Sequence, residues 1–131
     1  MILKENYLSS FVVLGELCGE GIQKNRLKLD KPHWFIFTVE ENRERVSFEE
    51  LQKVIDYIGG EMVMLDEVGD DLLSKYPTIE SLLEKANGQY PNGTRREGIV
   101  IRPQTPVYNE ILETYLSMKI ISNRYLLKNE D

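Results

Sequence analysis

The stretch Phe11-Val12-Val13-Leu14-Gly15-Glu16-Leu17-Cys18-Gly19-Glu20-Gly21 is an apolar run that carries one carboxylate near its end and then breaks on glycines. Its consecutive apolar and β-branched residues predict a buried strand over 10–18. Gly19 and Gly21 predict a turn or loop that continues to Asn25. Glu16 is the residue that does not fit a plain core strand. A carboxylate inside an apolar strand is costly unless something pairs with it, so Glu16 either faces solvent on a half-buried strand or meets a ligand. The glycines do not make a phosphate loop of the GxxxxGK type, because no Ser or Thr follows a lysine here.

Working outward, residues 33–39 (His33-Trp34-Phe35-Ile36-Phe37-Thr38-Val39) are dense in aromatic and β-branched side chains and predict a second strand. Alternation sends Phe35 and Phe37 to one face and Trp34 and Ile36 to the other. Ser47 then opens a helix: Ser47 and Glu50 have capping-box spacing, Leu51, Val54, Ile55 and Ile58 recur at helical spacing, and Gly59-Gly60 ends the run. Residues 62–65 predict a short apolar strand. A second helix follows Pro77, with Thr78 as its cap, Ile79, Leu82, Leu83 and Ala86 as its apolar face and Gly88 at its C-terminal stop. Residues 89–94 contain Pro91 and Asn92-Gly93, a turn cluster. Residues 98–102, ended by Pro103, and residues 116–121 predict two further strands, and 122–128 a short terminal helix. The order β, β, α, β, α, β, β lacks strict βαβ alternation, so the expected class is α+β with mainly antiparallel sheets and flanking helices.

With 131 residues, 41% hydrophobic and 29% charged, the chain has room for one ordinary globular domain, 1–131. Cys18 is the single cysteine and His33 the single histidine, which exclude an internal disulfide, a Cys-based zinc site and a two-histidine mechanism. The lone thiol fits a reducing cytoplasm. The N-terminal residues lack the apolar core of a signal peptide, and no apolar stretch approaches membrane-spanning length. The formal net charge of −6 argues against a dedicated nucleic-acid binder. The charge is uneven, however. Residues 40–84 hold 13 acidic and 4 basic side chains, while 1–39 and 85–131 come to +1 and +2. An anionic ligand would prefer the flanks of this acidic, helical segment of about 40–88.

Three further segments carry chemistry. Aromatic rings on one face of 33–39 could stack on a nucleobase or simply pack in the core. In Arg95-Arg96-Glu97-Gly98-Ile99-Val100-Ile101-Arg102-Pro103 a carboxylate opens an apolar strand between basic residues. A glutamate so placed can hold Mg²⁺ while arginines meet phosphate oxygens, or the segment is a solvated strand end with surface ion pairs. Lys119 interrupts the apolar run Met118-Lys119-Ile120-Ile121 and either meets an anion or reaches solvent at a sheet edge.

Taken in order, these segments resemble the covalent nucleotidyltransferases: ATP-dependent DNA and RNA ligases and mRNA capping enzymes. The nearest likeness is to RNA ligases, through Gly15-Glu16-Leu17 with Gly19, Gly21-Ile22-Gln23 and Asn25. Glu97-Gly98-Ile99-Val100-Ile101-Arg102 resembles the family's motif IV, and Ser117-Met118-Lys119 with Tyr125-Leu126-Leu127-Lys128 its motif V. The resemblance implies a partial nucleotidyltransferase (ATP-grasp-like) fold and ATP- and Mg²⁺- (or Mn²⁺-) dependent joining of RNA 5′-phosphate and 3′-OH ends. It implies that Glu16 binds the AMP ribose and that Phe37 stacks on adenine, with Phe35 as the register alternative. Glu97 would act through the catalytic metal and Lys119 would contact the nucleotide phosphate, an electrostatic role. Arg102 and Lys128 would be further phosphate contacts.

The chain departs from the family pattern in three places. The Lys-x-Asp-Gly nucleophile should lie well upstream of Glu16, and Lys4, the one lysine before Glu16, sits in Lys4-Glu5-Asn6-Tyr7. Without that lysine no covalent lysyl-AMP forms. Thr38 stands where an acidic residue usually follows the stacking Phe, and Ile121 where motif V often has a second lysine. The expectation is therefore an incomplete domain: a ligase fragment inactive alone, a non-catalytic nucleotide- or RNA-binding remnant, or one half of a split ligase. Missing N-terminal strands would leave sheet edges open to self-association.

Overall fold

A computed structural model describes residues 10–22 and 24–128, with Lys128 described by its backbone alone. Lys4, Gln23 and the Lys128 side chain therefore lie outside what is described. The central strand is β2 (His33–Glu41). It pairs antiparallel with β1 (Phe11–Cys18) and β3 (Glu44–Arg45), and parallel with β4 (Glu61–Met62), in one four-stranded sheet. Helix α1 (Phe48–Ile58) lies on one face of this sheet. Ile36 and Val39 from β2 and Val54 and Ile55 from α1 form the buried core, with Val13, Val46, Leu51 and Met62 packed around them. Full burial of a side chain such as Ile36 stabilises by about 1.5–3 kcal/mol.

The ends of α1 follow their local chemistry. Ser47 Oγ accepts from the Glu50 amide at 3.3 Å, and Gly59 at φ 69° lets the chain turn back so that the Gly60 amide reaches the Ile55 carbonyl at 2.9 Å. Simple alternation along β2 breaks at one point. Leu14 pairs with Thr38 but Gly15 pairs with Ile36, so Phe37 is the extra residue of a β-bulge. Ile36 and Val39, three apart, consequently share the core, and Phe37 and Thr38, adjacent in sequence, both approach Arg102.

The second half is built on a two-stranded antiparallel sheet, β5 (Gly98–Ile101) with β8 (Met118–Ile121), on which α3 (Ile79–Ala86) packs. Gly98 is required here: a Cβ at this position would lie 2.0 Å from the Ile120 carbonyl oxygen. Between β5 and β8 the chain makes a hairpin of β6 (Tyr108–Asn109) and β7 (Thr114–Tyr115). Short α2 (Leu72–Lys75) precedes α3, and α4 (Asn123–Lys128) follows β8. Ser122 ties this half together. Its buried hydroxyl donates to Asn87 Oδ1 at 2.5 Å and accepts from the Tyr125 amide at 3.2 Å.

The class is α+β, with mainly antiparallel sheets and flanking helices. Several boundaries differ from the sequence reading. The strand expected over 62–65 pairs only as Glu61–Met62, because β4 meets β2 over just two residues, Phe35 and Ile36. Helix α3 stops on Asn87 in an extended conformation, φ −74° and ψ 97°, so Gly88 is not its left-handed cap. The strand over 116–121 begins at Met118. Three elements were not anticipated: β3, α2 and the β6–β7 hairpin.

Candidate functional site

A cleft of about 1940 Å³ opens between the two halves. Glu16 from β1, Phe35 and Phe37 from β2, and Glu97 and Arg102 at the two ends of β5 all line it. Glu16 and Phe35 are direct partners in the β1–β2 register, which places their side chains on the same face of the sheet. The Glu16 side chain is exposed, as the solvent-facing reading of this residue required, and the water it faces is that of the cleft.

The two aromatic candidates sit in different surroundings. The ring of Phe35 is stacked by His33, with centroids 5.9 Å apart and planes 9° apart. His33 is itself held by Glu61, Nδ1 to Oε1 at 2.8 Å. Phe37 lies beside the Arg102 guanidinium, 5.5 Å from its ring centre. The same guanidinium donates to the Phe37 carbonyl at 3.0 Å, to Thr38 Oγ1 at 2.8 Å and to Ser117 Oγ at 3.3 Å. Thr38, the residue that replaces the expected acid, is thus buried and serves as an acceptor that anchors Arg102.

Glu97 and Lys119 come together across the second sheet: Lys119 Nζ stands 3.0 Å from Glu97 Oε1. Both are about half exposed, at 57% for Lys119 and 45% for Glu97, so the pair is accessible rather than sealed in the core. Lys119 does not itself line the cleft. It joins the group through Glu97. Sheet pairing fixes the arrangement, since Val100 is the partner of Lys119 and the Ser122 amide donates to the Glu97 carbonyl at 2.8 Å.

Three cleft residues were not singled out from the sequence. Tyr90 is half-buried and lines the cleft with Glu16 and Glu97. Burial pushes its hydroxyl above the usual tyrosine value, Arg26 opposes the rise, and Glu16 and Glu97 add to it. Arg26 donates to Tyr125 Oη at 2.6 Å and packs 4.5 Å over that ring. Arg45 lines the cleft near Arg102. Tyr90 borders the Pro91-Asn92-Gly93 turn, and Arg26 follows the glycine loop. Only their placement beside turns could have drawn attention to them.

The donor set for a metal is sparse. Among the described residues no group of three or more His, Cys, Asp or Glu side chains could hold an ion. A single carboxylate such as Glu97 suits Mg²⁺ or Mn²⁺ only where phosphate oxygens and water supply the remaining ligands. Among the described residues no helix is long and apolar enough to cross a membrane.

A mainly antiparallel α+β frame, with carboxylates and aromatic rings lining a cleft and Lys119 joined to it through Glu97, matches part of a nucleotidyltransferase fold. The particular family follows from sequence comparison: the RNA ligase family model matches residues 2–121, and the chain belongs to the RNA ligase family. Among solved structures, Naegleria gruberi RNA ligase with pyrophosphate superposes with a TM-score of 0.68 at 26% identity, covering 93% of this chain and 35% of that one. Two variants of the same ligase, one with AMP and manganese and one with ATP and manganese, each give a TM-score of 0.68 at 25% identity, with 92% and 35% covered. The chain therefore spans about a third of that ligase's length. No curated protein matches.

Proposed function

We propose that this chain is a single, incomplete nucleotidyltransferase domain that carries the nucleotide- and metal-binding side of an ATP-dependent RNA ligase. Glu16 takes the ribose hydroxyls of the nucleotide. Phe37 stacks on adenine in preference to Phe35, one side of which is already covered by His33. Glu97, with phosphate oxygens, holds a Mg²⁺ or Mn²⁺ ion, whose charge would offset that of the phosphates. Lys119 contacts the phosphate, and Arg102 and Lys128 are further phosphate contacts. The observation that carries this reading is the shared cleft: Glu16, both phenylalanines, Glu97 and Arg102 line one cavity, and Lys119 reaches it by its 3.0 Å contact with Glu97. That the Naegleria gruberi ligase was solved with ATP and manganese supports the choice of ligand class.

The reaction of the intact enzyme would be ATP-dependent joining of RNA 5′-phosphate and 3′-OH ends in the cytoplasm, through an adenylylated lysine. None of the Lys-x-Asp-Gly type occurs in this sequence. The chain alone therefore binds nucleotide without retaining AMP covalently. Incubation with radiolabelled ATP and Mn²⁺ should leave the protein unlabelled after denaturation, whereas equilibrium dialysis under the same conditions should retain ATP. A stable label mapped to a lysine of this chain, or no retained ATP, would reject the proposal.

One observation favours a split enzyme over an inert remnant. Among the described residues, β1 pairs only with β2, and Val12, Leu14, Leu17 and Trp34 are exposed around this edge at 44–55%. A polypeptide supplying further strands and the Lys-x-Asp-Gly lysine would cover them. Restored labelling on adding such a polypeptide in trans would support this second reading. Self-association through the same edge would appear as a concentration-dependent mass.

A further inference from the structure

We propose that Arg45 and Arg102 form a paired guanidinium clamp for phosphate oxygens on the floor of the cleft. The inference rests on the nucleotide reading of that cleft, and it adds Arg45, which neither sequence pattern nor likeness brought forward. Both residues line the cleft. Arg102 is fixed by three neutral acceptors, Phe37 O, Thr38 Oγ1 and Ser117 Oγ, which orient its fork without neutralising its charge. Arg45 is fixed from the other side. Its amide donates to Tyr115 Oη at 3.0 Å and its guanidinium packs 4.9 Å from the centre of the Tyr115 ring. Its Nε is buried and, among the described residues, has no hydrogen-bond partner. Among the described residues neither arginine forms an ion pair.

Arg102 is anchored on Phe37 and Thr38, and Arg45 is the register partner of Glu40 two residues further along β2, so the two arginines occupy neighbouring positions on the central strand. Burial, and then the charge of Arg45, hold the Arg102 guanidinium below its ordinary value. A phosphate or pyrophosphate between them would offset the like-charge repulsion and accept charge-assisted hydrogen bonds from Arg102 Nη2 and the Arg45 guanidinium. Such an anion has two sources in this setting: the phosphate tail of a nucleotide, or the terminal phosphate of an RNA strand.

The test uses arginine modification by phenylglyoxal on the full chain, mapped residue by residue. Pyrophosphate, a 5′-phosphorylated oligoribonucleotide and its 5′-hydroxyl counterpart serve as protecting ligands. Slower modification of Arg45 and Arg102 than of exposed Arg43 is expected. Protection by pyrophosphate assigns the nucleotide tail, and protection only by the 5′-phosphorylated strand assigns the RNA end. Arg45→Gln should weaken binding of the protecting anion by about tenfold or more, with Arg45→Lys in between and Arg43→Gln unchanged. Equal modification with and without every anion, or unaltered affinity in folded Arg45→Gln, overturns the clamp and leaves Arg45 as a strut for the hairpin. Should Arg45→Gln not fold, the protection pattern of the unsubstituted chain decides. Adenosine, which lacks phosphate, tests the nucleotide reading separately: protection by pyrophosphate without any binding of adenosine would keep the clamp and remove the nucleoside site.

Discussion

Lys119 and Glu97 are 22 residues apart in sequence, yet their side chains meet at 3.0 Å, because β5 and β8 pair in a register that sets the two motifs side by side. An exposed pair of this kind contributes little to folding, at most about 1 kcal/mol. Its link, through Glu97, to a cleft that also holds Glu16 and the β2 aromatics is what makes it informative.

The first prediction separates those two roles. Lys119→Ala should change unfolding free energy in urea by less than about 1 kcal/mol, while weakening ATP binding by about tenfold, the loss expected for one charge-assisted contact. A variant that loses stability but keeps its ATP affinity would make the pair merely structural.

Gly98 tests the pairing that creates the contact. With the Ile120 carbonyl 2.0 Å from where a Cβ would stand, and the neighbouring atoms all backbone of Ile120 and Ile121, Gly98→Ala must force β5 and β8 apart. Destabilisation of about 2–3 kcal/mol is expected from such overpacking, read from the urea midpoint. A change below about 0.5 kcal/mol would show that the strands do not approach as closely as described.

Thr38 anchors Arg102 from a buried position, its Oγ1 accepting at 2.8 Å. Thr38→Val keeps the shape and removes the acceptor. A cost of about 1–3 kcal/mol should follow from leaving a half-buried donor with fewer partners. Thermal unfolding that is identical to that of the parent chain would mean that the Phe37 carbonyl and Ser117 suffice to hold the guanidinium.

The acidic segment offers a pH test. Glu67 bonds to Lys75 and accepts from Tyr76 at 2.6 Å, and these contacts, Lys75 first, lower its carboxyl to about 2. Because the folded value is depressed, the stabilising contribution is complete above the unfolded carboxylate value and disappears as the pH falls towards 2. Carbon-detected NMR titration should give a Glu67 midpoint well below the ordinary carboxylate value. A midpoint at the ordinary carboxylate value would show that the Lys75 contact does not persist in solution.

Much of this architecture was legible from residue patterns, and the reasons differ by element. The apolar spacing and caps of Ser47 and Gly59 specify α1 locally, so it was found with nearly its final boundaries. The β2–β3 turn was hidden because its positive-φ residues are Asn42 (φ 51°) and Arg43 (φ 69°), without the glycine that usually marks such a turn. The β6–β7 hairpin was hidden because its tip carries Ile111 and Leu112, 92% and 64% exposed, where a turn is ordinarily polar. The motif residues Glu16, Phe35, Phe37, Glu97 and Arg102 could be named from the sequence, and they line one cleft. Tyr90, Arg26 and Arg45 could not, because their positions depend on contacts between segments far apart in the chain. The bulge at Phe37 is a property of the β1–β2 register and leaves no mark in the alternation of either strand alone.

The most direct test of the nucleotide site is an amide NMR titration of the intact chain with ATP in the presence of Mg²⁺. The expected result is saturable shifts concentrated at Glu16, Phe37, Glu97 and Lys119 and absent from the outer face of α1, with Glu16→Ala weakening them about tenfold, as for a lost charge-assisted contact. Shifts confined to another surface, or unchanged by Glu16→Ala, would contradict the assignment of the cleft.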